Sequence, residues 1–497
     1  MSRGLTRRAA LAGMAGWIGS AALADAPVST RLPRQRPARL ESYLESPEAG
    51  WVREARLGGP VSFALAEARP EGALLSQGNV ATGLPPASVA KTATALYALD
   101  TLGPQHRFLT QILASGPIED GVLQGNLIIA GGGDPTLQTD ELGRLMERLV
   151  TQGLREVRGG VQAWGGALPY SFQIDGDQMA HFGYNPSISG LSLNYNRVFF
   201  EWMPNAGKID LTLDARGRYY RPGVTVAQIA AEDRGAPVFD FDEAAGRDVW
   251  SVAQSALRDH GGRWLPVRFP PLYVADVAHV LLSGMDVKIG RPPSALDALP
   301  PAHGVALLTL HESAGLADIV RDTLESSNNL MAEMIGLSAS KARADGIPSL
   351  EASGREMGRW MLDTTGSAAR FVDHSGLGDR SRVSARALVR MLASEKAHDL
   401  LKPLMPERAL RNNQGGPVQH PVAGMLAKTG TLNFVAGLGG YLTDVAGKEH
   451  VFTIFTADLE TREASKGSGM ERPRGARSWN GRSVRMRQRM LAHWAGI

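Results

Sequence analysis

Strand-like runs at both ends of the chain constrain its fold more than any other feature of the sequence. Near the amino end, residues 61–79 form two apolar-rich runs around an Arg-Pro-Glu-Gly turn, a pattern typical of a hairpin. Near the carboxyl end, VAGMLAKTGTL, AGLGGYLTD and HVFTIFTADLE each have about the length of a globular strand. The simplest assembly pairs both ends in one sheet with helices on its faces, so we predict a multidomain α+β fold.

The middle of the chain has a different texture. From about residue 106 to 300, short β-like runs such as FLTQILA and KIDLTLDA are broken by turn residues. We predict that 106–300 holds one or two β-rich inserted domains, with two favoured, because a chain of 497 residues typically forms about three domains. Residues 25–105 and 301–497 would then build the domain that contains the sheet.

Helical patterns return after the middle block, at 314–345 and 383–396, and the chain ends in the run NGRSVRMRQRMLAHWAGI. This last run predicts a helix with Val484, Leu491 and Trp494 near one side. A basic amphipathic helix can lie on a membrane surface. We favour the alternative, a helix packed on the sheet with its arginines in solvent.

The first 24 residues have the pattern of an export signal. A basic segment with Arg7 and Arg8 precedes an almost continuous run of small and apolar residues over 9–24, which ends in a small-x-small cleavage site. The arginine pair and the mild Gly/Ala-rich run indicate the twin-arginine route. We expect cleavage near Ala24 and a mature protein in the periplasm. An uncleaved anchor is the alternative, but the run falls short of the roughly 20 residues that a spanning helix needs.

The composition excludes several classes of function. The chain has no cysteine, so disulfides, Cys-ligated zinc and thiol nucleophiles are excluded. Its 11 histidines are scattered and form no HExxH motif, which argues against a metal enzyme. The net charge of +3 is small for this length, and no dense basic run is interleaved with aromatics. We therefore expect no nucleic-acid partner and no metal or organic cofactor.

Ser88 and Lys91, in the run PPASVAK, are the candidate nucleophile and base. The two prolines suit a helix start, and the apolar stripe that follows predicts a mostly buried helix over 86–102. A spacing of three residues puts both side chains on one face of that helix. The positive end of the helix dipole favours an oxyanion and a neutral lysine, and burial lowers the lysine pKa further. These conditions fit an activated serine, which needs a nearby base.

Two later motifs support this assignment. Ser327-Asn328-Asn329 and then Lys428-Thr429-Gly430 follow Lys91 in the order SxxK, SxN, KTG. Taken alone, Ser327-Asn328-Asn329 would more readily be a helix cap, since Ser and Asn favour such positions. In the ordered triple we favour the catalytic interpretation.

Other matches to these short motifs are weaker. Ser338-Ala339-Ser340-Lys341 is a second SxxK, but the SxN motif precedes it, and we interpret it as a helix surface. Ser192-Leu193-Asn194 also fits SxN, in a strand-like run, and Ser326-Ser327-Asn328 fits in a shifted register. The KTG motif occurs once in the chain, so the order of the motifs selects Ser88.

The KTG motif has its own chemistry. Lys428 supplies a positive charge for a substrate carboxylate, and Thr429 supplies a hydroxyl donor. Gly430 lets substrate approach the backbone closely, and an extended peptide can add to the edge of such a strand. The backbone N–H of Thr431 would form an oxyanion hole with that of Ser88.

Together these motifs resemble the D-Ala-D-Ala carboxypeptidase/endopeptidase family, the class C low-molecular-weight penicillin-binding proteins. Asn328 stands where Asp is commoner in that family, and His374 stands where the family has Gly. The resemblance spans nearly the whole mature chain. The stretches that carry it are GGGDPTL (131–137), LNYNRV (193–198), SNNLMAE (327–333), DHSGLGDRSRVS (373–384) and AKTGTL (427–432).

The resemblance implies a penicillin-binding transpeptidase/β-lactamase-like domain, an antiparallel sheet flanked by helices, with a large insert between the first two motifs. It implies that Lys91 takes the Ser88 proton and that Ser88 attacks a D-Ala-D-Ala bond or a cross-link of peptidoglycan. Ser327 and Asn329 would relay the proton to the leaving amine and hold the substrate amide. β-Lactams, as mimics of the peptide, would acylate Ser88.

Two other functions remain as alternatives. A β-lactamase or esterase on the same scaffold would differ by fast deacylation, so the lifetime of the penicilloyl adduct distinguishes it. A non-catalytic scaffold protein that binds the cell wall is the other, and the intact Ser88, Lys91 and Lys428 argue against it. The choice between carboxypeptidase and endopeptidase, and the oligomeric state, stay open at this point.

Overall fold

The protein is described by a computed structural model, in which the placed residues are 46–205, 208–244, 246–412, 415–467 and 470–497. The predicted export signal, residues 1–24, lies outside the described residues. Residues 47–497 form one compact unit. Across the described ranges, no helix is both long and apolar enough to cross a membrane.

The strands and helices of the described residues are numbered here in chain order. The strands are β1 (Val61–Glu67), β2 (Leu74–Gly78), β3 (Gly83–Leu84), β4 (Leu109–Ala114), β5 (Ile118–Glu119), β6 (Val122–Leu123), β7 (Leu127–Gly131), β8 (Glu156–Trp164), β9 (Arg197–Asn205), β10 (Lys208–Asp214), β11 (Ala227–Glu232), β12 (Phe239–Ala244), β13 (Arg247–Ala253), β14 (Gly261–Pro266), β15 (Lys288–Leu296), β16 (Ala306–Glu312), β17 (Val383–Ser384), β18 (Gly424–Leu432), β19 (Val435–Thr443) and β20 (Glu449–Ala457). The α-helices are α1 (Pro47–Ala55), α2 (Ala90–Leu102), α3 (Thr139–Thr151), α4 (Pro270–Gly284), α5 (Leu316–Ser326), α6 (Asn329–Arg343), α7 (Leu350–Thr365), α8 (Ala385–Leu392), α9 (Leu459–Ser465) and α10 (Ala476–Ala495).

A five-stranded antiparallel sheet joins the two ends of the chain, in the order β18-β19-β20-β1-β2. Its side chains alternate between two covered faces: Phe452 lies against Trp494 of α10, whereas Phe455 belongs to the apolar core that contains Leu388 of α8. Because both faces are covered, β19 and β20 are almost continuously buried. The predicted α+β fold, with strands of both chain ends in one sheet, is confirmed.

Helix α2 runs through the middle of the core. Every residue from Ala90 to Leu99 is buried, as expected for a helix with small or apolar residues on all sides. The helix predicted over 86–102 has a different beginning: Ala87–Val89 form a 3₁₀ turn, and the α-helix starts at Ala90. Ala87 has a left-handed φ of 48°, so the chain reverses sharply just before Ser88.

The middle block contains three sheets. The largest has the order β16-β4-β7-β8-β6-β5 with β15 paired to β8, and the others are β10-β9-β14 and β11-β13-β12. Ile112, Phe200 and Trp250, one from each sheet, share a single apolar core. Strand β16 lies beyond residue 300 and pairs with β4, so this block reaches residue 312. The division into domains at 105 and 300 stays a prediction.

The terminal helix α10 packs on the central sheet. The Trp494 indole donates to the Glu48 carboxylate over 2.9 Å, and Met490 is buried. The prediction that the arginines of this helix lie in solvent is wrong for Arg487, which is 6% exposed and donates to the Gly437 carbonyl over 3.0 Å. The carbonyl compensates part of the desolvation of the guanidinium, which explains how the charge is buried.

His374 fits into the core because a glycine faces it. The imidazole is fully buried, and its Nε2 lies 2.6 Å from the Ser353 hydroxyl of α7. Gly336 of α6 lies directly against the ring, and a Cβ at this position would overlap it. Burial lowers the pKa of His374 to about 3, so the imidazole is neutral. His374 and Gly336 therefore form a matched pair in the packing of α6.

We predict that Gly336→Ala destabilises the protein by about 1–3 kcal/mol, because the added methyl group overfills the space beside the ring. In a His374→Gly background the same substitution should have a much smaller effect, since the ring is gone. Chemical unfolding of the two single variants and the double variant measures this coupling. Equal effects of Gly336→Ala in both backgrounds would contradict the packing described.

Candidate active site

Ser88 and Lys91 lie next to each other where the 3₁₀ turn passes into α2. Lys91 is 1% exposed, and its Nζ lies 2.9 Å from the Ser88 Oγ. The same Nζ donates to the Asn329 Oδ1 over 2.7 Å and to the Ser375 carbonyl over 2.8 Å. The predicted serine and lysine are thus brought together, with two further partners from distant parts of the chain.

These contacts allow Lys91 to accept a proton when its amine is neutral. A neutral amine has two N–H groups and one lone pair. The Ser375 carbonyl can only accept a hydrogen bond, and so can the Asn329 Oδ1. In the neutral amine both N–H groups would go to these two acceptors, and the lone pair would then face the Ser88 hydroxyl. The orientation of the Asn329 amide is supported independently, because its Nδ2 donates to the Tyr184 carbonyl over 2.8 Å.

The surroundings of Lys91 also favour the neutral form. Burial, together with the nearby Lys428 charge, lowers the pKa of Lys91 to about 7. The Glu333 and Asp373 carboxylates act in the opposite direction. A lysine with a pKa near 7 can act as a general base at neutral pH.

Ser327 and Asn329 reach the site from the junction of α5 and α6. Ser327 ends α5 in a left-handed conformation, with φ 58°. Asn328 then caps α6, because its side chain accepts from the Met331 N–H over 3.2 Å. The helix cap and the predicted catalytic motif are therefore the same three residues. Asn performs the capping where Asp is commoner in the resembling family.

Lys428 is buried at the other side of Ser327. Its Nζ donates to the Ser327 Oγ over 2.9 Å and to the Thr429 carbonyl over 3.0 Å. Burial lowers the pKa of Lys428 to about 8, and the charge of Arg408 contributes in the same direction. The hydrogen bond to Ser327 links the KTG motif to the SxN motif.

The rest of the KTG motif lies on β18, the edge strand of the central sheet. Gly430 faces the 3₁₀ turn, and a Cβ there would lie 2.7 Å from the Ser88 backbone nitrogen. Any larger residue would push the strand away from the nucleophile. Thr429 and Thr431 are exposed on this strand, and Thr431 lines the cavity beside Ser88.

A cavity of about 900 Å³ opens beside these residues. Ser88, Ser327, Asn329 and Thr431 line one side of it. Across the described residues, no group of three or more metal-ligating side chains is placed to hold a metal ion. The other walls come from the middle block and from the segment around α9, and they include Met179, Phe182, Tyr184, Arg462 and Lys466.

The competing motif matches have structural roles. The Ser338 hydroxyl donates to the Met334 carbonyl and Lys341 donates to the Ala167 carbonyl, so the two do not form a pair. Ser340, between them, is buried, so only part of this motif is helix surface. The Asn194 side chain binds Thr139 at the start of α3.

Three residues of the site were missed by motif analysis. Tyr184 contributes a backbone carbonyl, for which a sequence offers no signal. Glu333 and Asp373 are fully buried carboxylates that act on Lys91. The position of Glu333, four residues after Asn329 on a helix, was a usable signal, since such residues share a face.

Comparisons with known proteins agree with this geometry. The D-Ala-D-Ala carboxypeptidase 3 (S13) family matches residues 52–236 and 295–471. D-alanyl-D-alanine carboxypeptidase DacB of Haemophilus influenzae is 24% identical over 431 residues, which cover 82% of this chain and 88% of that protein. The D-alanyl-D-alanine carboxypeptidase of Actinomadura sp. (strain R39) is 26% identical over 510 residues, which cover 93% and 90%.

A solved structure supports the fold. Penicillin binding protein 4 (dacB) from Haemophilus influenzae matches with a TM-score of 0.66 at 20% identity, over 88% of this chain and 98% of that chain. The matched family segments make up well over half of the chain. The chain therefore belongs to the D-Ala-D-Ala carboxypeptidase 3 (S13) family, which confirms both the family and the serine-type D-Ala-D-Ala carboxypeptidase activity predicted from the sequence.

Proposed function

We propose that the protein cleaves D-Ala-D-Ala bonds of peptidoglycan stem peptides, or D-amino-acid cross-links, through an acyl-enzyme on Ser88. The observation that carries this proposal is the arrangement around the buried Lys91, whose Nζ lies 2.9 Å from the Ser88 Oγ and, as a neutral amine with two other acceptors, would turn its lone pair to that hydroxyl. The relatives described above carry the name D-alanyl-D-alanine carboxypeptidase. We place the mature enzyme in the periplasm, on the basis of the signal pattern that ends at Ala24.

Acylation follows from the positions of the groups. Lys91 removes the hydroxyl proton of Ser88 as the Oγ attacks the substrate carbonyl. The backbone N–H groups of Ser88 and Thr431 stabilise the oxyanion of the tetrahedral intermediate. The C–N bond then breaks, and the proton passes to the leaving amine through the Ser327 hydroxyl. Water hydrolyses the acyl-enzyme and restores Ser88.

Lys428 and the exposed Thr429 would hold the terminal carboxylate of the substrate. Lys428 donates to Ser327 as well, so it couples carboxylate binding to the position of the proton relay. Asn329 would hold the substrate amide beside Ser88. β-Lactams carry a carboxylate and a reactive amide in a similar arrangement, and we expect them to acylate Ser88. A structure of the Haemophilus influenzae penicillin binding protein 4 was solved in complex with a novel β-lactam.

We predict that Ser88→Ala abolishes covalent labelling by benzylpenicillin and leaves the fold intact. Intact-protein mass spectrometry after brief exposure, with peptide mapping, measures the adduct. Ser338→Ala, in the second SxxK motif, is the matched control and should label like the wild type. Full labelling of Ser88→Ala would contradict the assignment. Rapid β-lactam hydrolysis without an adduct would instead favour a β-lactamase, and neither adduct nor turnover would favour a non-catalytic scaffold.

We predict a bell-shaped pH dependence for the second-order rate constant of acylation. The rate should rise as Lys91 loses its proton near pH 7, and fall as Lys428 loses its charge near pH 8. Stopped-flow or quenched labelling with benzylpenicillin between pH 5 and 10 measures the profile, in roughly half-unit steps. A flat profile over this range would contradict the role of Lys91 as the base.

We predict that Lys428→Ala weakens the turnover of substrates with a free carboxylate by about 10- to 100-fold, the range expected for a lost charge-assisted hydrogen bond. A matched substrate with that carboxylate esterified should be affected much less. The values of kcat/KM for the pair measure the difference. Lys341→Ala controls for the loss of a lysine elsewhere. Equal losses for both substrates would show that Lys428 does not recognise the carboxylate.

A further inference from the structure

Glu333 lies outside the three motifs but is fully buried directly behind them. It occupies α6 one turn after Asn329. One carboxylate oxygen accepts from the His374 N–H and the other accepts from the Ser375 N–H, each over 2.8 Å. Ser375 is the residue whose carbonyl accepts from the Lys91 amine. A single side chain thus holds the peptide segment that in turn holds the candidate base.

The same segment is fixed from its other side. Asp373 accepts from the Gly376 N–H over 2.8 Å and from the Gly378 N–H over 2.6 Å. Gly376 has φ 75°, and a Cβ there would overlap the Ala87 carbonyl oxygen. The turn therefore rests against the residue that precedes Ser88. A change in its position would alter the distance between the base and the nucleophile.

We propose that Glu333 is a positioning residue for the reaction: it holds the turn at 373–378 so that the Ser375 carbonyl fixes Lys91 toward the Ser88 hydroxyl. The proposal rests on the proposed function, because it assumes that Lys91 is the base for Ser88. A helix side chain that only filled space would not need both oxygens on consecutive backbone N–H groups.

The charged groups around Lys91 define the expected electrostatic effect. Lys428 lowers the pKa of Lys91, and the Glu333 and Asp373 carboxylates raise it. Burial and the neighbouring Asp373 raise the pKa of Glu333 to about 8, whereas the hydrogen bonds from the His374 and Ser375 N–H groups favour the carboxylate form. Burial also raises the pKa of Asp373, with Asp175 acting in the same direction and Lys91 against it. The buried His374, next to both, has its pKa lowered to about 3 and contributes no charge.

The test is Glu333→Gln, followed by the second-order rate constant of acylation by benzylpenicillin as a function of pH. Gln has one acceptor oxygen, so one of the two backbone N–H groups loses its partner and the turn loosens. We expect the maximal rate to fall at least about tenfold. In its ionised form Glu333 raises the pKa of Lys91, so removal of this carboxylate should move the acidic limb of the profile to lower pH.

Two further variants separate positioning from general damage. Glu356→Gln removes another mostly buried carboxylate, on α7, which binds Arg343 and Arg359 and does not contact the turn. Glu356→Gln should leave the acidic limb of the pH profile of acylation at its wild-type pH. Glu333→Asp keeps the charge but shortens the side chain, so its maximal rate should fall while its acidic limb stays near that of the wild type.

The outcomes are distinct. If Glu333→Gln changes neither the maximal acylation rate nor the pH of the acidic limb, the inference is overturned. A lower maximal rate with the acidic limb at its wild-type pH overturns it as well. If Glu333→Gln does not fold, a wild-type rate in Glu333→Asp overturns the proposal and a reduced rate with an unmoved limb supports it. Failure of the wild-type enzyme to form an adduct on Ser88 would instead reject the proposed function itself.

Discussion

Lys91 is the point on which the active site depends, because a buried amine must find partners for its hydrogens and a neighbour for its lone pair. Its partners come from three regions far apart in sequence: the 3₁₀ turn at Ser88, the start of α6 at Asn329 and the turn at Ser375. The central sheet and the buried helix α2 serve to bring these regions together.

Close packing between backbone segments is the second condition. Gly430 on β18 and Gly376 in the turn both lie where a side chain would strike the 3₁₀ turn, on Ser88 and on Ala87 respectively. Two separate backbone segments therefore pack directly against the backbone of the turn that contains Ser88, the candidate nucleophile. This explains why the two residues that contact the 3₁₀ turn are glycines. It also explains how the left-handed conformation of Ala87 is held in place.

The sequence predicted much of this site, because motif order is information that a single short motif lacks. The structure brings together Ser88, Lys91, Ser327, Asn329 and Lys428, although their catalytic roles stay predictions. The lengths of the apolar runs and the turn residues between them were equally informative for the central sheet. The exact start of α2 was not predictable, since the 3₁₀ turn depends on contacts with Gly430 and Gly376, which are hundreds of residues away.

Other features had no local signature in the sequence. The burial of Arg487 depends on the Gly437 carbonyl of another element. The boundary of the middle block at 300 was predicted from the pattern of short β-like runs broken by turn residues. That pattern cannot show that β16 pairs with β4 rather than with the central sheet. Pairing between distant strands is decided by the whole fold, so composition along the chain locates it only coarsely.

The hydrogen bond from the Asn329 amide to the Tyr184 carbonyl has a consequence for the evolution of such chains. Tyr184 belongs to the middle block, so a part of the chain outside the central sheet supplies the acceptor that sets which end of the Asn329 amide faces Lys91. A shortened descendant without this block would keep all three motifs in its sequence. Its Asn329 amide would be free to rotate, and the nitrogen instead of the oxygen could then face Lys91. A chain can therefore inherit the three motifs without inheriting the orientation of the Asn329 side chain. That orientation depends on the middle block, which contains none of the three motifs.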